Sequence, residues 1–304
     1  MAKNNKKSGI EYLENNRVNW FPGHMNKASK EIKKNIKLVN IIIEVRDARA
    51  PMASGNKRNY DNGGDKPYLI VLNKTNLADP EAVKLWKDWF TKQNESFIFI
   101  NALEKDSIKA VIKRCKEILN KHRLKSNATT AKKEKMTMMI LGLPNTGKST
   151  IINKLANRNA TKAAPNPGQT KQKLWVKADK NLEIIDTPGV MPPRINKEIH
   201  GMWLSAIHAI PDHIITPDYT ACFVIEHLLK NRSIAFKEFY EFDSLDIDLV
   251  TACDHIGKRR GCLRAGGNFD YDHIYKIILS DFRAGSLGMI IFELPPQNLT
   301  GMIN

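Results

Sequence analysis

The chain reads as an α/β protein: a mostly parallel sheet with helices on both faces, followed by a small all-helical domain. Three observations predict this. Short, fully apolar runs alternate with helix-period stretches through the first two-thirds of the 304 residues. A phosphate-binding signature joins one of those runs to a helix. Strand-like runs then stop at about residue 212. Length agrees with two domains, since a domain takes roughly 100–200 residues.

The apolar runs are Val39–Val45, Tyr68–Leu72, Phe97–Ile100 and Met136–Leu141, with weaker ones at Leu174–Ala178 and Leu182–Ile185. They lack the polar alternation of a half-exposed strand, so they fit a parallel sheet covered on both sides. Glu81–Gln93 and Ser107–Arg123 carry the helical period between them. Lys125–Lys135 is polar throughout and reads as a linker. Later, Ile225–Asn231, Leu245–Gly257 and Tyr271–Ala284 are amphipathic at the helical period. The predicted division is residues 1–211, with a basic tail over 1–17 and a join at about 124–135, followed by a helical domain over 212–304.

Charge narrows the partners. Lys and Arg number 48 against 32 Asp and Glu, for a net charge of +16. Residues 1–37 hold nine Lys/Arg against three Glu, and residues 105–135 hold eleven against three acids. A lysine-rich coat that only kept the protein soluble would be spread more evenly. Concentration favours a surface for a polyanion. No apolar run approaches the ~20 residues that cross a bilayer. The N-terminus lacks an apolar segment with a small-residue cleavage site and makes a poor organellar presequence. The four cysteines show no metal-ligand spacing and read as reduced, buried thiols.

The strongest motif is Gly142-Leu-Pro-Asn-Thr-Gly147-Lys148-Ser149-Thr150, between the strand Met136–Leu141 and the helix Thr150–Asn157. Glycines let backbone N–H groups turn towards phosphate oxygens at a helix N-terminus. Asn145, Thr146, Gly147, Lys148, Ser149 and Thr150 are therefore candidate phosphate ligands. Lys148 supplies a charge near the β- and γ-phosphates, and the Ser149 hydroxyl a ligand for Mg²⁺. Asp186-Thr-Pro-Gly189 follows the strand Leu182–Ile185. Asp186 suits the Mg²⁺ shell there, and the Gly189 N–H suits the γ-phosphate. Thr170, in the Pro- and Lys-rich segment between, is a candidate third metal ligand. In this order the elements imply a nucleotide switch that hydrolyses GTP.

Guanine readers use Asn-Lys-x-Asp at a strand end. The candidate is Asn73-Lys74-Thr75-Asn76, with Asn101-Ala102 after the next strand placing a backbone N–H on the guanine carbonyl. Both precede the phosphate loop instead of following it. A chain can be rotated without moving its site if the original termini can be joined. The linker Lys125–Lys135 is that join.

These residues, together with Trp20-Phe-Pro-Gly-His24-Met25, Asp47-Ala-Arg-Ala-Pro51, Lys258-Arg259-Arg260-Gly261 and Asp281-Phe-Arg-Ala-Gly285-Ser-Leu-Gly288, resemble the circularly permuted GTPases of the YlqF/RbgA (ribosome biogenesis GTPase A) family over nearly the whole chain. The resemblance implies GTP hydrolysis coupled to assembly of the large ribosomal subunit, with its precursor and rRNA as partners, no membrane and a monomer in solution. It implies a cytoplasmic location, with an organelle matrix as the alternative. It also implies RNA contacts by Arg259, Arg260 and Arg264. Val190 stands where many GTPases carry the Gln that orients water, and the resemblance points to His24 as its replacement; a packing or capping histidine is the plain alternative. Asn145 resembles the K⁺ ligand of potassium-activated GTPases, or is an ordinary loop amide.

One position departs from the family. Asn76 replaces an Asp whose carboxylate accepts two N–H bonds from guanine, which predicts weaker affinity or selectivity. Xanthine, with a carbonyl at C2, is an alternative base, and Asp79 nearby is a candidate substitute. Two other readings remain: an RNA-binding scaffold that binds nucleotide without turnover, and a P-loop ATPase or kinase, which lacks an acceptor-site motif.

Overall fold

The computed structural model describes residues 32–55, 66–125, 135–156, 174–179, 181–186 and 198–296. Backbone proximity divides them into two units: 32–186 with 290–296, and 198–289. The boundary sits earlier than the expected 211/212, and the last stretch returns to the first unit.

The first unit is a six-stranded sheet of β1 (Ile41–Asp47), β2 (Tyr68–Asn73), β3 (Phe97–Phe99), β4 (Met136–Gly142), β5 (Leu174–Asp179) and β6 (Leu182–Asp186), in the order β3-β2-β1-β4-β6-β5. All neighbours are parallel except the edge strand β5, antiparallel to β6. The helices are α1 (Pro80–Lys92), α2 (Lys105–Lys125) and α3 (Lys148–Leu155).

The pleat sends alternate side chains to opposite faces. Ile41, Ile43 and Val45 of β1, with Leu69, Val71, Met138 and Ile140, pack on Ile108, Val111, Cys115 and Leu119 of α2 and Ile151, Ile152 and Leu155 of α3. On the other face Ile70 and Leu72 meet Val83, Trp86 and Phe90 of α1. Ile42, Met139, Leu141 and Ile185 cover Ile32, Ile36 and Val39. A fully buried β1 still carries Glu44 and Arg46, because their charges cancel: the Arg46 Nε donates to Glu44 Oε2 at 2.8 Å, and its Nη1 to the Pro51 carbonyl at 2.9 Å. α1 starts where Asp79 accepts the Ala82 N–H at 2.8 Å and Pro80 takes the first turn.

The second unit is helical: α4 (Glu198–Ala206), α5 (Pro217–Lys230), α6 (Ile234–Tyr240), α7 (Leu249–Arg259) and α8 (Tyr271–Ala284). Gly257 lets α7 approach α8, since a Cβ there would stand 2.6 Å from Ile274 Cδ1. Arg283 ties α8 to the end of α4 through the Ala206 carbonyl at 3.2 Å, the Ser205 carbonyl at 3.1 Å and Asp212 at 3.1 Å. Cys115, Cys222, Cys253 and Cys262 are buried, and none is in a disulfide. No described helix is long and apolar enough to cross a membrane.

The segment Ile290–Glu293 is a strap on the sheet unit. The Ile290 N–H donates to the Leu77 carbonyl at 2.9 Å and the Phe292 N–H to the Arg49 carbonyl at 2.8 Å. Trp86 Nε1–H donates to the Glu293 carbonyl at 2.9 Å. The Glu293 carboxylate accepts the Ala53 N–H at 2.9 Å and that of Met52 as well. Glu293→Ala leaves two backbone donors without their partner and is expected to cost about 1–3 kcal/mol. Urea unfolding followed by tryptophan fluorescence measures it; an unchanged midpoint would show that the Glu293 carboxylate contributes nothing.

Candidate nucleotide site

Because β1, β2, β3 and β4 run parallel, their carboxyl ends open on one edge of the sheet, where ligands of open α/β sheets bind. β4 ends in Gly142 with φ +152°, where a Cβ would fall 2.4 Å from the Val45 carbonyl oxygen. The loop is braced by Thr146 Oγ1, which donates to the Leu143 carbonyl at 3.0 Å. Asn145 and Gly147 take left-handed conformations, with φ +58° and +97°. α3 then begins at Lys148 with no side-chain cap on its first turn. Open backbone donors at a helix start suit an anion. Lys148 is buried, Asn145 and Ser149 half-buried, and Thr146 buried within the loop.

The displaced base motif reaches this loop through one side chain. Asn73, the last residue of β2, donates from Nδ2 to the Thr146 carbonyl at 3.0 Å. Its Oδ1 accepts the Ala102 N–H at 2.9 Å. Gly147 makes room, since a Cβ there would meet Asn73 Nδ2 at 2.1 Å. One buried carboxamide thus joins the phosphate loop, the Asn-Lys loop and the loop after β3.

β1 supplies a second anchor. The Asp47 carboxylate accepts the Arg49 backbone N–H at 3.0 Å, its Nε at 3.0 Å and its Nη2 at 2.9 Å, and pairs with Lys74 Nζ at 3.0 Å. Burial opposes its ionisation, yet Arg49 and Lys74 hold it well below the ordinary carboxylate range. Burial lowers the Lys74 ammonium in turn, with Asp47 acting against it. Lys74 is therefore fixed in a left-handed backbone at φ +65° with its charge returned to β1.

The other expected residues fall as follows. Thr75, Asn76 and Leu77 form a 3-10 turn, in which Asn76 is exposed and makes no side-chain hydrogen bond among the described residues. Asp79 is the cap of α1, its Oδ1 accepting the Ala82 N–H at 2.8 Å. Asn101 folds onto its own loop, accepting the Leu103 N–H at 3.1 Å and donating to Glu104 at 3.2 Å. The Ala102 N–H, expected to face the base, goes to Asn73. Asp186 closes β6 in register with Ile140, two residues before the phosphate loop. Thr150 lies in the first turn of α3. His24, Thr170, Gly189 and the basic tail 1–17 lie outside the described residues.

Arg259, Arg260 and Arg264 are each ion-paired: Arg259 to Glu241, Arg260 to Asp281 at 2.8 Å, and Arg264 to Asp270 at 2.8 Å and Asp272 at 3.4 Å. Sequence reading passed over the Asp47–Lys74 pair, although a charged Asp-Ala-Arg at the end of an apolar strand signals it. The strap contact of Glu293 has no such signal.

A phosphate loop and a base loop on one sheet edge, bridged by Asn73 and encoded in reversed order, define a circularly permuted P-loop GTPase domain. The model of a family described as "50S ribosome-binding GTPase" matches residues 137–245. The chain is 37% identical over 278 residues to ribosome biogenesis GTPase A of Bacillus licheniformis, covering 91% of this chain and 98% of that protein. It is 36% identical to the Bacillus cereus protein of the same name, covering 92% and 95%. The crystal structure of GNP-bound YlqF from T. maritima matches with a TM-score of 0.63 at 27% identity, covering 88% of this chain and 98% of that one.

The chain belongs to the ribosome biogenesis GTPase A (YlqF/RbgA) family. It is a GTPase that takes guanine nucleotide with Mg²⁺. The glycine-built cradle and the uncapped start of α3 suit phosphates.

Restoring a carboxylate at position 76 tests the departure from the family. Asn76→Asp adds a charge-assisted hydrogen bond of about 1.5–3 kcal/mol and is expected to tighten GDP roughly ten- to hundredfold, with less gain for XDP. Titration of fluorescent GDP against both competitors measures it. Equal affinities in the two proteins would mean that residue 76 does not face the base.

Proposed function

We propose that the protein is a GTP-hydrolysing assembly factor for the large ribosomal subunit. It binds precursor particles and rRNA in the GTP state, leaves on hydrolysis and works as a monomer in the bacterial cytoplasm. The observation that supports this reading is the Asn73 bridge, which joins the loops that carry the rotated motifs, in a chain with bacterial relatives named ribosome biogenesis GTPase A. In this reading Asn145, Thr146, Gly147, Lys148, Ser149, Thr150 and Gly189 hold the phosphates, while Asn73, Lys74, Thr75, Asn76 and the 101–102 loop hold the base. Ser149, Thr170 and Asp186 bind Mg²⁺, which neutralises phosphate charge when present. Asn145 offers a side-chain oxygen to K⁺ beside the phosphates.

The Val190 side chain cannot make a hydrogen bond, so in this reading another side chain orients the water. His24 takes that role as a neutral imidazole near neutral pH. His24→Ala is expected to keep GDP affinity and lose most particle-stimulated phosphate release, on the order of a hundredfold; unchanged turnover in KCl buffer would reject it. The wider reading is tested by co-sedimentation with large-subunit precursors in a non-hydrolysable GTP analogue and in GDP, across a salt series. Pelleting that requires the GTP analogue and falls steeply with salt is expected. Pelleting equally in both nucleotides would refute the switch.

A further inference from the structure

Positive charge in the described residues is divided unevenly by structural role. Residues 212–304 hold nine Lys/Arg against thirteen Asp/Glu. Within them the arginines expected to touch RNA are each paired to a carboxylate. Arg260 is further engaged over the Phe239 ring at 5.7 Å. Freeing them for phosphate would break contacts between α7, α8 and the segments beside them.

α2 is built differently. It carries eight Lys/Arg against Asp106 and Glu117 alone. Its apolar stripe, Ile108, Val111, Cys115 and Leu119, is buried in the sheet unit and fixes which side faces out. Lys105, Lys109, Lys113 and Lys116 then fall in one exposed row. At 100° and 1.5 Å per residue they lie within an arc of about 80° and span about 16 Å. Among the described residues Lys105, Lys113 and Lys116 have no ion pair. Lys109 meets only Asp106, at 2.9 Å, and both side chains are largely exposed; such pairs are weak and screened by salt. A groove along this face is lined by Lys109, Ile112, Lys113, Lys116, Glu117 and Asn120.

We propose that the lysine row Lys105, Lys109, Lys113 and Lys116 on α2 is the surface by which the GTPase unit tracks the phosphate backbone of ribosomal RNA, an inference that rests on the ribosomal reading above. A straight line of mobile ammonium groups suits a polyphosphate and carries no base specificity. Insertion in a membrane is excluded, since a helix lying in a membrane sends its apolar face into the lipid and the apolar face of α2 is buried in the core; purely electrostatic attachment to anionic lipid is what the vesicle arm below measures. None of the four lysines is among the residues assigned to the nucleotide, so GDP affinity serves as the control for an intact switch.

The test compares wild type with K105Q/K109Q/K113Q/K116Q and with the matching quadruple Lys→Arg variant. Probes are protein-free large-subunit rRNA, large-subunit precursor particles, and phosphatidylglycerol–phosphatidylcholine vesicles. The Gln variant is expected to lose at least about tenfold in rRNA affinity near 0.1 M salt, and its log K against log salt slope should fall by roughly three to four. The Arg variant should retain both. GDP affinity should stay at the wild-type value in each, which shows that the fold is kept. If wild type pellets with particles in the GTP state but the Gln variant binds rRNA equally well, this surface is wrong and the ribosomal reading stands. Tighter binding to vesicles than to rRNA would overturn the choice of polyanion. Wild type that binds neither particles nor rRNA would overturn both readings.

Discussion

The nucleotide site depends on a single carboxamide. Asn73 must give one N–H to the Thr146 carbonyl and take one from Ala102, and only a side chain with a donor and an acceptor on the same carbon satisfies both. Asp would set an oxygen against the Thr146 carbonyl, and Leu would leave two buried backbone groups unpaired, at about 1–3 kcal/mol each. Gly147 follows from the same constraint, since any side chain there would occupy the space of the Asn73 amide. The glycine serves the bridge as well as the left-handed turn.

That bridge explains why rotated motif order does no harm. The loops after β2 and β4 are separated in the chain by α1, β3 and α2, yet β1 pairs with both strands and holds them in register: Val45 lies beside Val71 on one side and Gly142 on the other. The loops therefore arrive at the same edge whatever the order in which they are encoded. Asp47, at the end of β1, sits between them and fixes Lys74 and Arg49. The strap attaches to the same neighbourhood, through the Arg49 and Leu77 carbonyls. A segment that follows the helical unit in sequence thus helps to frame the base loop.

What could be read from sequence was what repeats or has a signature. The strands emerged to within two residues at each end, because the central ones, β1, β2 and β4, are buried and burial demands largely apolar runs. α2 and α8 emerged because long helices average over local irregularities. α4, with a Gly in its middle, and α6, of seven residues, did not show, being too short for a period to stand out. At the site, the phosphate loop and Asn73 were legible because phosphate and carboxamide chemistry restrict the residue types. Pairings across long separations were not, because any carboxylate can meet any cation or N–H: Asp47 with Lys74, and Glu293 with the 52–53 backbone.

The same distinction governs the charge. A sequence count treats every Lys and Arg as available, whereas the fold consumes some of them. Arginine forms planar, multiply bonded pairs that hold helices together, as Arg283 and Arg260 do here. Lysine on a solvated helix face keeps its charge at the end of a flexible stem, with little to hold it back from a passing phosphate. The net charge of +16 is therefore a poor guide to where a polyanion binds. The better guide is which cations stand in a row without a buried partner: among the described residues α2 has such a row, with only the exposed Lys109–Asp106 pair in it, while the arginines Arg259, Arg260 and Arg264 of the helical unit are paired.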